Sequence, residues 1–436
     1  MKPSCPRPHA FVHGVLLALA ISFWPACRAQ EKAPPTFDDW KKLEPAPELA
    51  AYRSQLRDNV FGEAEKTFLT KTALPQLGNP KNRPEIDRVR RKMIDRLCVV
   101  DAGSGDGKAL GAAMQTVADF MTAVARDRAS DPVHRVNAIL LVGELRVPGN
   151  RPWTPAVAPL AAVFSDDTLP PAVRIAAAAG LARHVEADPV GRAADVGPVL
   201  VKVAGSPLPN VDSVAANWLR SRAFAMLARM GTDAPAGTVA AASAALLDAT
   251  RPVDDRVRAA AAVGACVKAA GDADAGKTVT AIRDLAVSAL GATKASADRL
   301  DLAVRLAGED PAASRPRGPT DGAGDTLDDE PSQVYRRDAW RLATLADALS
   351  SVDGSGGLAA VGGAGAASIK EIATAFRSAA EQLDAQPNLK TLETVLANVP
   401  AVDLGREPAP AAPPGGAKPA GPATPAAGAD DNPFGS

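Results

Sequence analysis

The chain has 436 residues, of which 23% are charged and only 4% are aromatic, and its formal net charge is −1. A chain of this length can form several domains or one elongated array. The near-neutral charge gives no general attraction to nucleic acid or anionic lipid, and the scarcity of aromatic side chains argues against a platform for stacking bases.

The first residues predict a secretory signal peptide. Two basic residues precede an apolar run over residues 15–23, and small residues lie three and one positions before a cleavage site after Ala29. The run is too short to span a membrane. We therefore expect residues 1–29 to be removed and the mature protein, with four more acidic than basic residues, to be periplasmic or secreted. A lipoprotein signal acylated at Cys27 is the less favoured alternative.

The segment 30–72 predicts an N-terminal helical cap. Bulky apolar residues recur there at helical spacing. They are Trp40, Leu43, Leu49, Tyr52, Leu56, Val60 and Phe61. A repeat array needs a terminal unit that covers its first apolar face, so we expect this segment to cap an array over residues 73–308.

A twelve-residue pattern recurs four times within that array. In each copy Arg is the second residue, Ala follows three places later, and a small residue stands eight places after the Arg. The arginines are Arg135, Arg174, Arg220 and Arg258. Apolar positions one before, three after and seven after the Arg form one stripe of an α-helix. In the last copy this spacing predicts a packed stripe of Val257, Ala261 and Ala265.

Each copy is preceded by another apolar segment of helical length, so the unit is a first helix, a short loop and a second helix that carries the Arg. These segments are residues 114–124, 156–164, 196–203 and 239–247. The steps between successive arginines are 39, 46 and 38 residues. One pair cannot bury its apolar faces alone, and a period near forty residues is typical of stacked helix pairs. We therefore predict an all-α protein, a right-handed α-solenoid.

These units resemble HEAT repeats, especially the short Ala-rich type also found in phycobilin lyases. The resemblance lies in an acidic turn, a Val-Arg start and an Ala-rich second helix, and it covers roughly residues 73–308. The acidic residues of these turns are Asp131, Asp166, Asp167, Asp254 and Asp255. The resemblance implies a ladder in which such an Asp binds the Arg of a neighbouring repeat, although Asp212 is a poorer match for Arg220.

Two further copies are weaker. Arg90 follows an apolar residue, whereas Arg299 follows Asp298, which does not fit the pattern. At the expected offsets stand Met93, Leu97 and Cys98 in the first copy and Leu302 and Leu306 in the second.

Three segments follow the array. Residues 309–332 are acidic and rich in Pro and Gly, which predicts a disordered linker. Residues 333–400 contain patterns for three short helices, which either cap the array or form a separate small bundle. Residues 401–436 are rich in Pro, Ala and Gly and predict a disordered tail.

The sequence predicts no catalytic, cofactor or metal site. Without the leader the chain has two histidines, His134 and His184, which lack metal-ligand spacing. We expect structural roles for both, with His184 in a last helical turn where positive charge suits the dipole. Cys98 and Cys266 share one column of the repeat, four layers and on the order of 40 Å apart, which is too far for a disulfide. We expect two buried, unpaired thiols.

Two other motifs have structural explanations. Gly103–Lys108 (GSGDGK) lacks the first Gly and the final Ser or Thr of a phosphate-binding loop, so it predicts an inter-helix loop. The Asp pairs at 166–167 and 254–255 precede the Arg-bearing helices, where carboxylates cap helix N-termini.

These observations favour a non-catalytic extracytoplasmic scaffold that binds a protein or peptide, without nucleic acid, cofactor or membrane span. The alternatives are a structural component of a cell-envelope assembly and a lyase-like enzyme or enzyme partner. The sequence leaves the partner, the binding face and the oligomeric state open.

Overall fold

A computed structural model describes residues 47–99, 107–209, 211–270, 275–306, 330–352, 356–361 and 363–400. These residues form an all-α protein. The predicted leader, the tail and most of the predicted linker and of the GSGDGK motif lie outside them.

The α-helices of the described residues follow the predicted helical segments closely. In chain order they are α1 (Pro47–Arg57), α2 (Glu63–Thr67), α3 (Ile86–Met93), α4 (Lys108–Arg126), α5 (Pro132–Glu144), α6 (Val157–Ser165), α7 (Pro171–Ala187), α8 (Pro189–Gly205), α9 (Ser213–Met230), α10 (Thr238–Leu247), α11 (Val253–Ala270), α12 (Ala275–Leu306), α13 (Glu330–Leu349), α14 (Ala366–Ala385) and α15 (Leu389–Ala397). A two-residue antiparallel ladder joins β1 (Arg146–Val147) to β2 (Arg151–Pro152). Its turn is permitted by positive φ angles at Gly149 and Asn150. No helix of the described residues is long and apolar enough to cross a membrane.

The central helices are arranged in two rows. Helices α4, α6, α8 and α10 contact α5, α7, α9 and α11 respectively. Neighbouring pairs contact each other along both rows, from α4 through α10 and from α5 through α11. The core is the apolar layer between the rows, where the Ala-rich second helices lie against the first helices.

The repeated Arg closes the end of the first helix of its own pair. The Nε atoms of Arg135 and Arg174 donate to the carbonyl oxygens of Ala125 and Phe164, each ten residues upstream, at 2.9 and 3.0 Å. The last carbonyl groups of a helix have no partner within the helix, and a cation there complements the helix dipole. These arginines therefore join two helices of one pair, and the predicted Asp–Arg ladder between repeats is wrong for both.

The same contact corrects the register of the fourth copy by two residues. Arg256, and not Arg258, donates from Nε to the carbonyl oxygen ten residues upstream, that of Leu246, at 2.8 Å. The sequence misleads here because residues 259–262 are all Ala and satisfy the pattern at either offset. In the corrected register Gly264, rather than Cys266, occupies the column of small residues eight after the Arg.

The correction changes which alanines are packed. Of the predicted stripe, Val257 is fully buried, whereas Ala261 and Ala265 are half-buried and Ala260 is fully buried instead. We expect Ala260→Leu to lower the free energy of unfolding by about 2 kcal/mol, because it overpacks a filled core. Ala261→Leu should be close to neutral, since the side chain faces open space. Urea denaturation of both variants measures the difference, and an equally large loss for Ala261→Leu would contradict the corrected register.

The two weaker copies depart from the pattern. Arg90 reaches the neighbouring unit, where its guanidinium donates to Glu144 (3.2 Å) and to Asn137. Arg299 lies exposed within α12, which continues to Leu306 without a break, so the predicted start of a second helix there is wrong. No Pro occurs in α12, whereas Pro residues stand at the loops of the four clear copies and stop their helices.

The acidic turns have different roles. Asp131, which the resemblance placed in the ladder, instead caps α5, since its carboxylate accepts from the backbone nitrogen of Val133 at 2.8 Å. Asp166 does not cap α7, which begins at Pro171; its carboxylate accepts from the hydroxyl of Thr168 at 2.7 Å and closes the preceding turn. Asp255 accepts from Ser221 of α9 at 3.4 Å, a contact between neighbouring pairs.

The C-terminal helices pack against the last pair. Helix α13 lies on α11 and α12, α14 lies on α13, and α15 contacts α12 and α14. Asp254 of α11 accepts from the Nε atoms of Arg337 and Arg341 at 2.9 and 2.8 Å. A Cβ at Gly264 would lie 2.5 Å from the Cα of Ala348, so the two helix backbones nearly touch there. Helix α13 begins at Glu330, so the last three residues of the predicted linker belong to this helix.

The N-terminal residues are described from Pro47 onward. Leu49, Tyr52 and Leu56 are buried as predicted, and the hydroxyl of Tyr52 donates to the carbonyl oxygen of Leu97 at 2.9 Å. Val60 is 48% exposed because it follows the end of α1. Trp40 and Leu43 lie outside the described residues.

Candidate functional site

A groove of about 750 Å³ lies between α7, α9, α11 and α13. A second cavity of about 410 Å³ is lined by residues of α9, α11 and α13 and by Pro252, and it shares Arg222 and Arg258 with the first. The two cavities are treated together as the arginine groove, whose middle is formed by these two side chains.

The walls of the arginine groove consist largely of small side chains. Its alanines are Ala182, Ala225, Ala228, Ala261, Ala265 and Ala348. The column of small residues that the repeat predicts contributes Ala182 and Ala228 to the wall, and Gly264 holds α13 against α11 at its edge. Alanine has no atom beyond Cβ, so helices held at this separation leave space between them. The Ala-rich pattern thus forms the cavity as well as the core.

Three arginines line the groove without a partner. Arg220 of α9 donates from Nη2 to the carbonyl oxygen of Ser206 at 3.3 Å. Arg222 and Arg258 stand two residues after Arg220 and Arg256, so they occupy one column on adjacent helices. Arg229 lies seven residues further along α9, which is about two helical turns. None of the three donates a hydrogen bond to, or forms an ion pair with, any residue that the structure describes. Their N–H donors are available to a ligand.

Two tryptophans contact two of these arginines. The Cζ atom of Arg222 lies 5.1 Å from the ring centroid of Trp218, and that of Arg258 lies 4.5 Å from the ring centroid of Trp340. A ring face attracts a guanidinium through its quadrupole and uses none of the N–H donors. Each tryptophan therefore holds a guanidinium group over its ring while leaving the N–H groups at the edge of that guanidinium free.

Most of the carboxylates that line the groove are already bound to other arginines. Burial lowers the pKa of Arg258, and the nearby positive charges of Arg222 and Arg229 lower it further against the opposing effect of Asp254. Asp347 also lines the groove but is bound by Arg377 at 3.2 Å. Because Asp254 is likewise bound by arginines of α13, three cations here face few free carboxylates.

The histidines and cysteines lie elsewhere. His184 is 3% exposed, and burial, followed by the charges of Arg183 and Arg192, lowers its pKa to about 4. The imidazole is therefore neutral at pH 7, and its predicted positive role at the helix end is wrong, because burial opposes charge more strongly than the dipole favours it. Burial likewise lowers the pKa of His134. No group of three or more His, Cys, Asp or Glu that could hold a metal ion occurs among the described residues.

The two thiols are buried and unpaired, which confirms that prediction. Cys98 and Cys266 are each 1% exposed, and burial raises the pKa of both to about 12. The shared column on which the prediction rested is wrong, however. Cys98 stands eight residues after Arg90, but Cys266 stands ten after Arg256.

The sequence contained a signal for the groove that the repeat pattern obscured. Arg256 and Arg258 are both present where one cap is needed, so one of them is free for another role. Trp218 and Arg222 stand four residues apart on α9, the spacing of neighbours on a helix surface. No comparable pattern in the sequence indicated that α13 forms a wall of the groove.

Comparison of the chain with protein-family models, with curated proteins and with solved structures finds no match.

Proposed function

We propose that this chain is a non-catalytic, extracytoplasmic scaffold that binds a protein or peptide partner in the arginine groove. The observation that carries the proposal is the set of three arginines, Arg222, Arg229 and Arg258, whose donors point to no partner within the described residues.

The proposed architecture is a right-handed α-solenoid of HEAT-like helix pairs. It is supported by the two rows of helices, in which each pair contacts the pairs before and after it. Such stacking gives a long surface formed by the second helices of successive pairs, and solenoids use surfaces of this kind for binding. Helices α13–α15 cover the last pair, as a terminal unit should.

Binding is favoured over catalysis by where the reactive side chains lie. No His or Cys is among the described residues that line the groove. Cys98, Cys266 and His184 are buried in helix contacts, with the thiols held protonated and the imidazole held neutral at pH 7. A volume of about 750 Å³ falls in the range of cavities that enclose ligands, and its alanine walls provide apolar contact area.

An affinity experiment with a blocked groove tests the proposal. The mature chain, residues 30–436, is immobilised and exposed to cell-envelope extract, beside the variants Ala261→Trp, which fills the groove, and Ala112→Trp, which adds the same side chain at an exposed position of α4. We expect one stoichiometric partner to be retained by the wild type and Ala112→Trp and lost by Ala261→Trp.

If the Ala261→Trp variant retains the partner as well as the wild type does, binding in the groove is contradicted. Recovery of a large insoluble assembly in place of a stoichiometric partner would favour a structural role in the envelope.

A further inference from the structure

We propose that the arginine groove recognises an acidic peptide segment whose carboxylates are three residues apart, with Arg222, Arg229 and Arg258 as the residues that bind them. This inference rests on the proposed function and specifies the chemistry of the partner.

The free donors point to carboxylates. A guanidinium presents N–H groups in a planar fork that matches the two oxygens of a carboxylate, and such paired, charge-assisted bonds are strong. Most other arginines near the groove are already bound: Arg337 and Arg341 by Asp254, and Arg377 by Asp347. Arg222 and Arg258 instead contact only the ring of a tryptophan, and Arg229 has no partner among the described residues. An anion can therefore accept hydrogen bonds from these three arginines without breaking an existing ion pair.

The spacing of the arginines sets the spacing of the acids. Arg222 and Arg229 are seven residues apart on one helix, which corresponds to roughly 10 Å along its axis. A peptide in the polyproline II conformation has three residues per turn and rises about 3.1 Å per residue. Side chains three positions apart therefore lie on one face and about 9 Å apart, so acidic residues at positions i and i+3 match the two arginines.

A peptide fits better than a nucleic acid. One face of Trp218 and one face of Trp340 are occupied by guanidinium groups, so those faces are not free to stack bases. The chain as a whole has a net charge of −1, which opposes a continuous run of phosphates more than it opposes two carboxylates. A peptide can place carboxylates on the arginines and small apolar side chains on the alanine walls.

Fluorescence anisotropy with labelled nine-residue peptides tests the inference on the mature chain. The probe is an Ala/Pro peptide with Glu at positions 3 and 6; one comparison peptide has Gln at both positions and another has Glu at positions 3 and 4. We expect the probe to bind at least about tenfold more tightly than the Gln peptide, and more tightly than the peptide with adjacent acids.

Matched variants identify the residues responsible. Arg222→Gln, Arg229→Gln and Arg258→Gln should each weaken binding of the probe about tenfold, whereas Arg128→Gln, the same change at an exposed arginine outside the groove, should not. Arg258→Lys keeps the charge and should recover part of the affinity, which separates loss of the ligand contact from loss of the fold. Melting temperatures near that of the wild type check that each variant is folded.

The outcomes separate this inference from the proposed function. Equal affinity for the Glu and Gln peptides, no binding of the probe at millimolar concentration, or tighter binding of a single-stranded oligonucleotide would each overturn acidic-peptide recognition. If Ala261→Trp still abolishes capture of the envelope partner while the Gln variants do not, the groove binds a partner through other contacts. If Ala261→Trp affects neither partner nor probe, both proposals fail.

Discussion

Replacement of Arg174 by Ala is expected to lower the free energy of unfolding by about 3–5 kcal/mol. The side chain is 1% exposed, and its Nε atom donates to the carbonyl oxygen of Phe164 at 3.0 Å. Alanine would remove that bond, leave a buried carbonyl without a partner at the end of α6, and open a cavity the size of the lost side chain. Urea denaturation monitored by circular dichroism measures the loss.

Two arginines of α11 provide the control for this interpretation. Arg256→Ala should cost about 2 kcal/mol, because it removes the equivalent bond to the carbonyl oxygen of Leu246 from a partly exposed position. Arg258→Ala should cost at most about 1 kcal/mol, since only the contact with the ring of Trp340 is lost. If Arg256→Ala and Arg258→Ala lower the free energy of unfolding equally, the two arginines do not differ in their capping role.

Gly264→Ala is expected to destabilise the protein by about 3 kcal/mol and to displace α13 from α11. The added methyl group would lie 2.5 Å from the Cα of Ala348 and 2.8 Å from its carbonyl carbon. These neighbours are backbone atoms, which cannot move without moving the whole helix. The expected loss of stability is therefore at the upper end of the range that is typical of overpacked cores. Thermal melting gives the stability, and faster hydrogen exchange in α13 than in α5 or α7 reports the displacement.

Gly291→Ala is the matched change. Gly291 lies within α12, and a Cβ there would meet no atom within 4 Å. Because Ala has the higher helix propensity and a less flexible unfolded state, this variant should gain up to about 1 kcal/mol. A melting temperature for Gly264→Ala at or above that of the wild type would show that the two helices are not in contact at this position.

The helices of the array could be predicted from sequence because spacing and Pro both indicate them. Apolar residues at helical spacing locate α4 to α11, and Pro at the loops separates them. The same reasoning failed at α12, where the weak pattern around Arg299 was interpreted as a new helix although no Pro interrupts the segment. Periodicity detects the face of a helix, whereas its ends depend on residues that stop it.

The role of the repeated arginine was harder to predict. A fixed Arg can bind an acid of the next repeat or a carbonyl of its own pair, and the sequence pattern is the same in both cases. The geometry of Arg174 and Arg256 distinguishes them, and it also frees Arg258 for the groove. The groove could not be predicted as a whole, because one wall comes from α13, which follows a long segment without helical periodicity.

The contact between α11 and α13 has a consequence for the order in which the molecule assembles. Three of the repeated arginines bind carbonyl groups ten residues away, so their helix pairs close short loops and can form early. Asp254 binds Arg337 and Arg341 across 83 and 87 residues, and these links close a much longer loop. The wall that completes the arginine groove is thus the last to be put in place. A chain that ends before α13 carries Arg222, Arg229 and Arg258 but lacks one wall of the groove, so we expect it to bind the proposed ligand more weakly than the whole chain does.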